Sequence, residues 1–277
     1  MRVLPRDVGV KDVPEWVWRY ATAFRRVLPT FLGIGAQKAG TTALMHYLRQ
    51  HPQAAWGKGR ELHYFDRNYH RGERWYRARF PLARQVAKNM AVGEGSPEYL
   101  LHPHAARRIS ALLPQVKLVV LLRDPAQRAI SHYFMEVKRG REPLGIEEAM
   151  KSEEERIGPE RERLEADPHH DDKLFQRRAY KAKGRYAEQL RRYYQYFDRS
   201  QIFVMESGRF NNDTRNALNE ICAFLGIDPA PETIDLAKHN VTKVEKTVPP
   251  EVEEYLNDYF QPHNEELYEL LGVDFGW

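Results

Sequence analysis

The sequence predicts an α/β fold, an open and mostly parallel sheet of P-loop-like topology flanked by helices, in a single domain over residues 1–277. Three observations predict it. Short apolar runs alternate with amphipathic stretches of helical period, a pattern that calls for parallel strands joined by helical crossovers. One strand-to-helix junction carries glycines at the spacing of a phosphate-binding loop. The 277 residues, 42% hydrophobic and 12% aromatic, supply enough apolar side chain for a sizeable core.

The elements follow in order. Residues 1–29 carry Trp16, Trp18, Tyr20 and Phe24 among charges, which predicts an amphipathic helical extension packed on the domain. Thr30 to Gly35 reads as a short buried strand, and Thr41 to Gln50 as a helix with Leu44, Tyr47 and Leu48 on one face. Ala91 to Glu94 is a weak strand, His102 to Leu113 an amphipathic helix, Lys117 to Leu122 a strong strand and Ala126 to Val137 a helix started by Pro125. Lys138 to Lys183 is dense in Glu, Arg and Lys, which predicts solvated helices and loops over one end of the sheet. Arg185 to Phe197 is a helix, Gln201 to Met205 a strand, and Thr214 to Leu225 a helix with Asp213 as its cap and Gly226 as its stop. Two terminal helices are expected on either side of Pro262, closing on Val273, Phe275 and Trp277.

Composition narrows the function classes. With 43 Lys+Arg against 39 Asp+Glu the net charge is +4, so no coating of nucleic acid or anionic membrane is called for, while a local basic pocket for a small anion is allowed. The single cysteine, Cys222, excludes an intramolecular disulfide and a cysteine-based metal site and fits a reducing compartment, so the expected location is the cytoplasm. The longest apolar run, near 117–122, is far short of a membrane span, and charges stand where a signal peptide needs its apolar stretch. A soluble protein working without a metal is expected.

The chemistry is most legible in GAQKAGTTAL, Gly35 to Leu44. Gly35 and Gly40 have the Gly-x-x-x-x-Gly spacing, and Thr41 and Thr42 open the helix, so backbone N–H groups and the positive helix end converge on one anion. A Walker loop needs Lys directly after the second Gly; this chain has Thr41 there and places Lys38 inside the loop. A second anion site is predicted at LVVLLRDPAQRAISHY, where Arg123 ends a strand and Ser131 lies two turns into the next helix. Ligands of open α/β sheets bind beyond the carboxyl ends of the strands, so both sites should face one crevice and take a ligand with two separated phosphates.

These residues resemble the sulfotransferases that use 3′-phosphoadenosine 5′-phosphosulfate (PAPS), in particular the heparan sulfate N- and 3-O-sulfotransferase-like branch. FLGIGAQKAGTTAL is similar to the loop that holds the 5′-phosphosulfate, and LVVLLRDPAQRAISHYF to the segment that holds the 3′-phosphate. GRELHYFDRNYHRGERWY is similar to the branch's Glu-x-His-Phe-Phe-Asp stretch, and PHNEELYELLGVDFGW to its ending. The resemblance implies the sulfotransferase fold, PAPS as donor with 3′-phosphoadenosine 5′-phosphate (PAP) as product, and transfer to a hydroxyl, or secondarily an amine, of a carbohydrate, lipid or natural-product acceptor.

It also implies roles. Lys38 binds the 5′-phosphate and bridging oxygen, the backbone of Ala39, Gly40, Thr41 and Thr42 wraps the 5′-phosphate, and Arg123 and Ser131 take the 3′-phosphate. Glu61 is the general base, and His63 and Asp66 flank the acceptor, where they either orient the base or contact the substrate, His63 also as a catalytic group. Gly184 and Tyr186 match a Gly-x-Tyr segment. Two departures stand out: Glu94-Gly95-Ser96-Pro97 lacks the branch's second active-site lysine at Gly95, and HNVTKVEKTVPP lacks its disulfide-closed loop, leaving Lys243 and Lys246 as stand-ins. Two other readings remain open at this stage, a P-loop small-molecule kinase using ATP and Mg, and a non-catalytic nucleotide-binding module.

Overall fold

The computed structural model describes residue 9 and residues 12–168, 170, 173–237 and 248–277. Helix α1 (Val13–Ala21) has a proline in its first turn, where a missing N–H costs nothing. It packs by one face: Trp16 is buried against the Arg79 guanidinium, while Trp18 and Phe24 stay exposed. Arg19 fixes the helix to the domain by donating to the carbonyls of Ala78, Arg79 and Phe80.

Strand β1 (Phe31–Gly35) leads into α2 (Thr41–Arg49). Then come β2 (Ala54–Trp56), α3 (Gly72–Arg77), β3 (Ala91–Gly95), α4 (Ala105–Leu112), β4 (Lys117–Leu122) and α5 (Pro125–Lys138). Helices α6 (Ile146–Lys151), α7 (Glu153–Ala166), α8 (Lys173–Arg178) and α9 (Tyr186–Tyr194) precede β5 (Ile202–Glu206). Helices α10 (Ser207–Asn212), α11 (Thr214–Leu225) and α12 (Pro250–Leu271) follow.

The five strands are parallel throughout, in the order β2-β3-β1-β4-β5. Helices cover both faces, which is why β1, β3 and nearly all of β4 are buried and read as continuous apolar or small residues. The chain leaves β1 toward β3 on one side and reaches β4 on the other. The strand order therefore reverses between β1 and β4, and the crevice at their carboxyl ends lies there. β2 went unread in the sequence because it is a three-residue, half-buried edge strand with no alternating pattern.

Two expectations are corrected. The C-terminal stretch is one 22-residue helix, α12, running through Pro262 rather than two helices parted by it. Its buried residues Val252, Leu256, Phe260, Asn264 and Leu267 keep one stripe across the proline. An interior proline costs about 3 kcal/mol, and burying several large side chains at about 1.5–3 kcal/mol each outweighs it. The charged 138–183 segment is more than a solvated cover. Ile157, Leu164, Phe175, Ala179 and Ala182 form a core with Leu101, and Ala149, Met150 and Tyr180 join α5 and α12 in another.

Candidate active site

The phosphate loop is the connection from β1 to α2. Gly40 caps α2 at φ 94°, a left-handed conformation that glycine adopts without penalty. Lys38 also stands in positive φ, at 74°, and so does His63, at 48°; no other non-glycine among the described residues does. Backbone strain of this kind persists where surrounding structure holds it and concentrates at functional sites. Ala39 is buried, and its N–H closes a turn onto the Ala36 carbonyl at 3.1 Å. The N–H groups left for an anion are those of Gly40, Thr41 and Thr42, which as the start of a helix have no carbonyl one turn back.

Arg123 follows the last residue of β4, the neighbour of β1, so the sheet itself brings it to the loop. Its Nη1 donates to the Lys38 carbonyl at 3.4 Å. The Lys38 loop and Arg123 are thus in direct contact beyond the carboxyl ends of β1 and β4. Ser131 lies on α5 two turns beyond, nearly buried, on the same helical face as Asp124 and Gln127. The segment around Gly184 supports Arg123 from behind: the buried Tyr186 hydroxyl donates to the Arg123 carbonyl at 2.8 Å. Gly184 must be glycine there, because a Cβ would stand 2.6 Å from the Phe260 ring and 2.8 Å from Pro125.

At the start of α2, a cleft of about 170 Å³ is lined by Thr41, Thr42, His46, Glu61, Gly95, Pro97 and the cationic Arg49 and Arg60. Glu61 thus opens onto the same space as the start of α2. Its Oε2 lies 3.2 Å from His63 Nε2, and His63 Nδ1 lies 2.7 Å from Asp66 Oδ2. Burial works against charge on all three groups, yet their mutual attraction wins. His63 is lifted to about 10, so it is protonated at neutral pH and donates to both carboxylates. Asp66 is driven far below the usual carboxylate range by the His63 charge and hydrogen bond. Glu61 is lowered by the hydrogen bond and charge of His63, with Arg60 and Arg67 adding to the effect.

Asp66, expected beside the acceptor, has a fully buried carboxylate and stands behind His63. The sequence also left Glu94 unassigned. That carboxylate, carried by β3, is buried, accepts from the hydroxyls of Tyr76, Tyr99 and Ser96, and is raised to about 7 chiefly by burial. Ser96 in turn accepts the His63 N–H at 3.1 Å, so the Glu94 network holds the backbone of the strained histidine. At Gly95, where the resembling enzymes carry lysine, a Cβ would approach Met45 Sδ to 2.9 Å; Met45 fills that part of the cleft floor. Lys243 and Lys246 lie outside the described residues.

Comparison with known proteins decides the family. The sulfotransferase domain model matches residues 29–267, most of the chain. The chain belongs to the sulfotransferase domain family. This sulfotransferase is 29% identical to mouse heparan sulfate glucosamine 3-O-sulfotransferase 3B1, over 93% of this chain and 67% of the mouse protein. It is also 29% identical to the membrane-associated sulfotransferase kil1 of Dictyostelium discoideum, over 90% of this chain and 66% of that protein. The chain thus spans about two thirds of the length of these curated relatives. A solved sulfotransferase from Alicyclobacillus acidocaldarius superposes with a TM-score of 0.74 at 30% identity, covering 90% of this chain and 98% of that one. Membership makes PAPS the donor, and the α/β architecture is that of the family. Among the described residues no helix is long and apolar enough to cross a membrane.

Proposed function

We propose that this sulfotransferase moves the sulfuryl group of PAPS to a hydroxyl of an acidic carbohydrate, with Glu61 as general base. The observation that carries the proposal is the contact of the Lys38 loop with Arg123 at the carboxyl ends of β1 and β4, while Glu61 lines a cleft with Thr41 and Thr42 at the start of α2. Two cationic positions on one edge suit a nucleotide phosphorylated at both ends. In the transfer, the acceptor oxygen attacks sulfur, the bond from sulfur to the bridging phosphate oxygen breaks, and PAP leaves. Lys38 and the N–H groups of Gly40, Thr41 and Thr42 meet the charge that grows on that leaving oxygen, which favours the transition state over the ground state.

Glu61 takes the hydroxyl proton. It is ionised at neutral pH and aimed by His63, so it is ready to accept without prior titration. The acceptor class is supported by the cations around it. Arg49, held over the Trp56 ring at 4.4 Å, lines the cleft with Arg60, a pair that suits a carboxylate or sulfate on the acceptor. The mouse relative is named for heparan sulfate, a glycan with such groups. Nothing in the loop favours the kinase reading, since Lys38 lies inside the turn and Thr41 stands where a Walker loop has lysine.

Transfer of labelled sulfate from PAPS to a panel of acidic and neutral polysaccharides tests this reading. Label should enter acidic members first; incorporation into neutral members alone would overturn the acceptor class. Glu61→Gln should leave PAP affinity unchanged and cut turnover by about 10²- to 10⁴-fold. Full turnover in that variant would remove Glu61 from the proton transfer.

A further inference from the structure

The side chain of Lys183 is buried, yet neither the sequence reading nor the proton-transfer scheme uses it. Its Nζ donates to Gln37 Oε1 at 2.9 Å, to Glu98 Oε1 at 2.9 Å and to the Gln176 carbonyl at 2.7 Å. All of its bonding capacity is spent on three different parts of the fold. Gln37 is the phosphate-loop residue next to Lys38, and its own amide donates back to Glu98. Glu98 follows β3, and its carboxylate is as buried as the lysine it faces. Gln176, on α8, reaches Asp66 with its side-chain amide at 3.5 Å. Three residues after Lys183, Tyr186 holds the Arg123 carbonyl.

The geometry points to Lys183 as a positioning residue that fixes the separation of the two phosphate pockets, and through it the preference for a doubly phosphorylated nucleotide. The segment 183–186 is a short strap tied at one end to the phosphate loop and at the other to the backbone of Arg123. It cannot slide, because Gly184 is wedged against Pro125 and the Phe260 ring. Within one pocket, affinity depends on that pocket's own groups. A ligand that bridges both pockets depends in addition on their spacing, because the second phosphate engages with an effective concentration set by geometry. Loosening the strap should therefore penalise a bisphosphate and spare a monophosphate.

The inference rests on the nucleotide reading of the crevice, and titration calorimetry on the full chain with PAP and with adenosine 5′-monophosphate separates the two. Gln37→Ala cuts the strap at its loop end and leaves the Lys183–Glu98 pair intact. Lys183→Met combined with Glu98→Gln cuts its centre without stranding a buried charge. Wild type should prefer PAP. In both variants the PAP affinity should fall by about 10- to 100-fold, the scale expected when geometry slips by about 1 Å, with the monophosphate affinity near its wild-type value. An equal loss for both nucleotides, or none for either, would overturn the strap while leaving the nucleotide reading in place. Wild type that binds neither nucleotide would overturn the nucleotide reading and the strap with it. If the double variant fails to fold, Gln37→Ala alone gives the same ratio of affinities.

Discussion

At the residue scale the site is governed by one histidine between two carboxylates. His63 has its folded value lifted to about 10, above its ordinary value of about 6.5. A raised histidine contributes stability that is complete below pH about 6.5 and is lost as pH rises through about 10. Asp66 and Glu61 have the opposite sign: their values are lowered, so their contribution is present above the ordinary carboxylate range and fades as acid protonates them. Urea midpoints of wild type and His63→Gln should therefore converge between pH 7 and pH 10, because the wild type loses an advantage the variant never had. A gap that stays constant over that range would show that His63 is not charged in the folded protein. The motif stretch points to Glu61, His63 and Asp66 from sequence alone. It did not show that Asp66 faces inward, because burial of a short polar side chain depends on what packs above it, here its neighbour Arg67 and Gln176 from the distant helix α8.

At the element scale, the strands other than β2 and the loop after β1 were legible because each carries its own signal. β4 reads KLVVLL, α11 begins on Asp213 and stops on Gly226 at φ 81°, and Asp124 caps α5 by accepting from Gln127. What escaped was decided by partners far away in sequence. Pro262 looked like a break because its neighbours along the chain say so; Leu256, Phe260 and Leu267 pack across it, and that is not visible locally. Lys183 likewise read as one more surface charge in a charged run until Gln37 and Glu98 closed around it. The close approach at Gly184 gives an element-level test. Gly184→Ala puts a Cβ within 2.6 Å of the Phe260 ring and 2.8 Å of Pro125, so α12 and the start of α5 must part. Overpacking of this kind costs about 1–3 kcal/mol. Chemical denaturation should register that loss together with weaker PAP binding, since Tyr186 and Arg123 move with the strap. A variant as stable as wild type would mean that α12 yields freely.

At the scale of the whole molecule, the sheet order is what turns two separate sequence motifs into one site. Lys38 and Arg123 are 85 residues apart in the chain and in contact because β1 and β4 are neighbours where the strand order reverses. A ligand that spans this crevice ties β1, β4, α2 and α5 together, so its binding should raise the stability of the fold as a unit. At 100 times its dissociation constant PAP adds about 2.7 kcal/mol, which at about 2–4 °C per kcal/mol for a chain of this size is a rise of about 5–10 °C in melting temperature. Lys38→Ala and Arg123→Ala should each remove most of that rise at the same PAP concentration, since on the proposed reading each deletes a charged contact to one end of the nucleotide. ATP with Mg should give little, because it lacks the 3′-phosphate that the proposed reading assigns to Arg123 and Ser131. Equal shifts from the two nucleotides would break the link between Arg123 and the 3′-phosphate and return the crevice to the kinase reading.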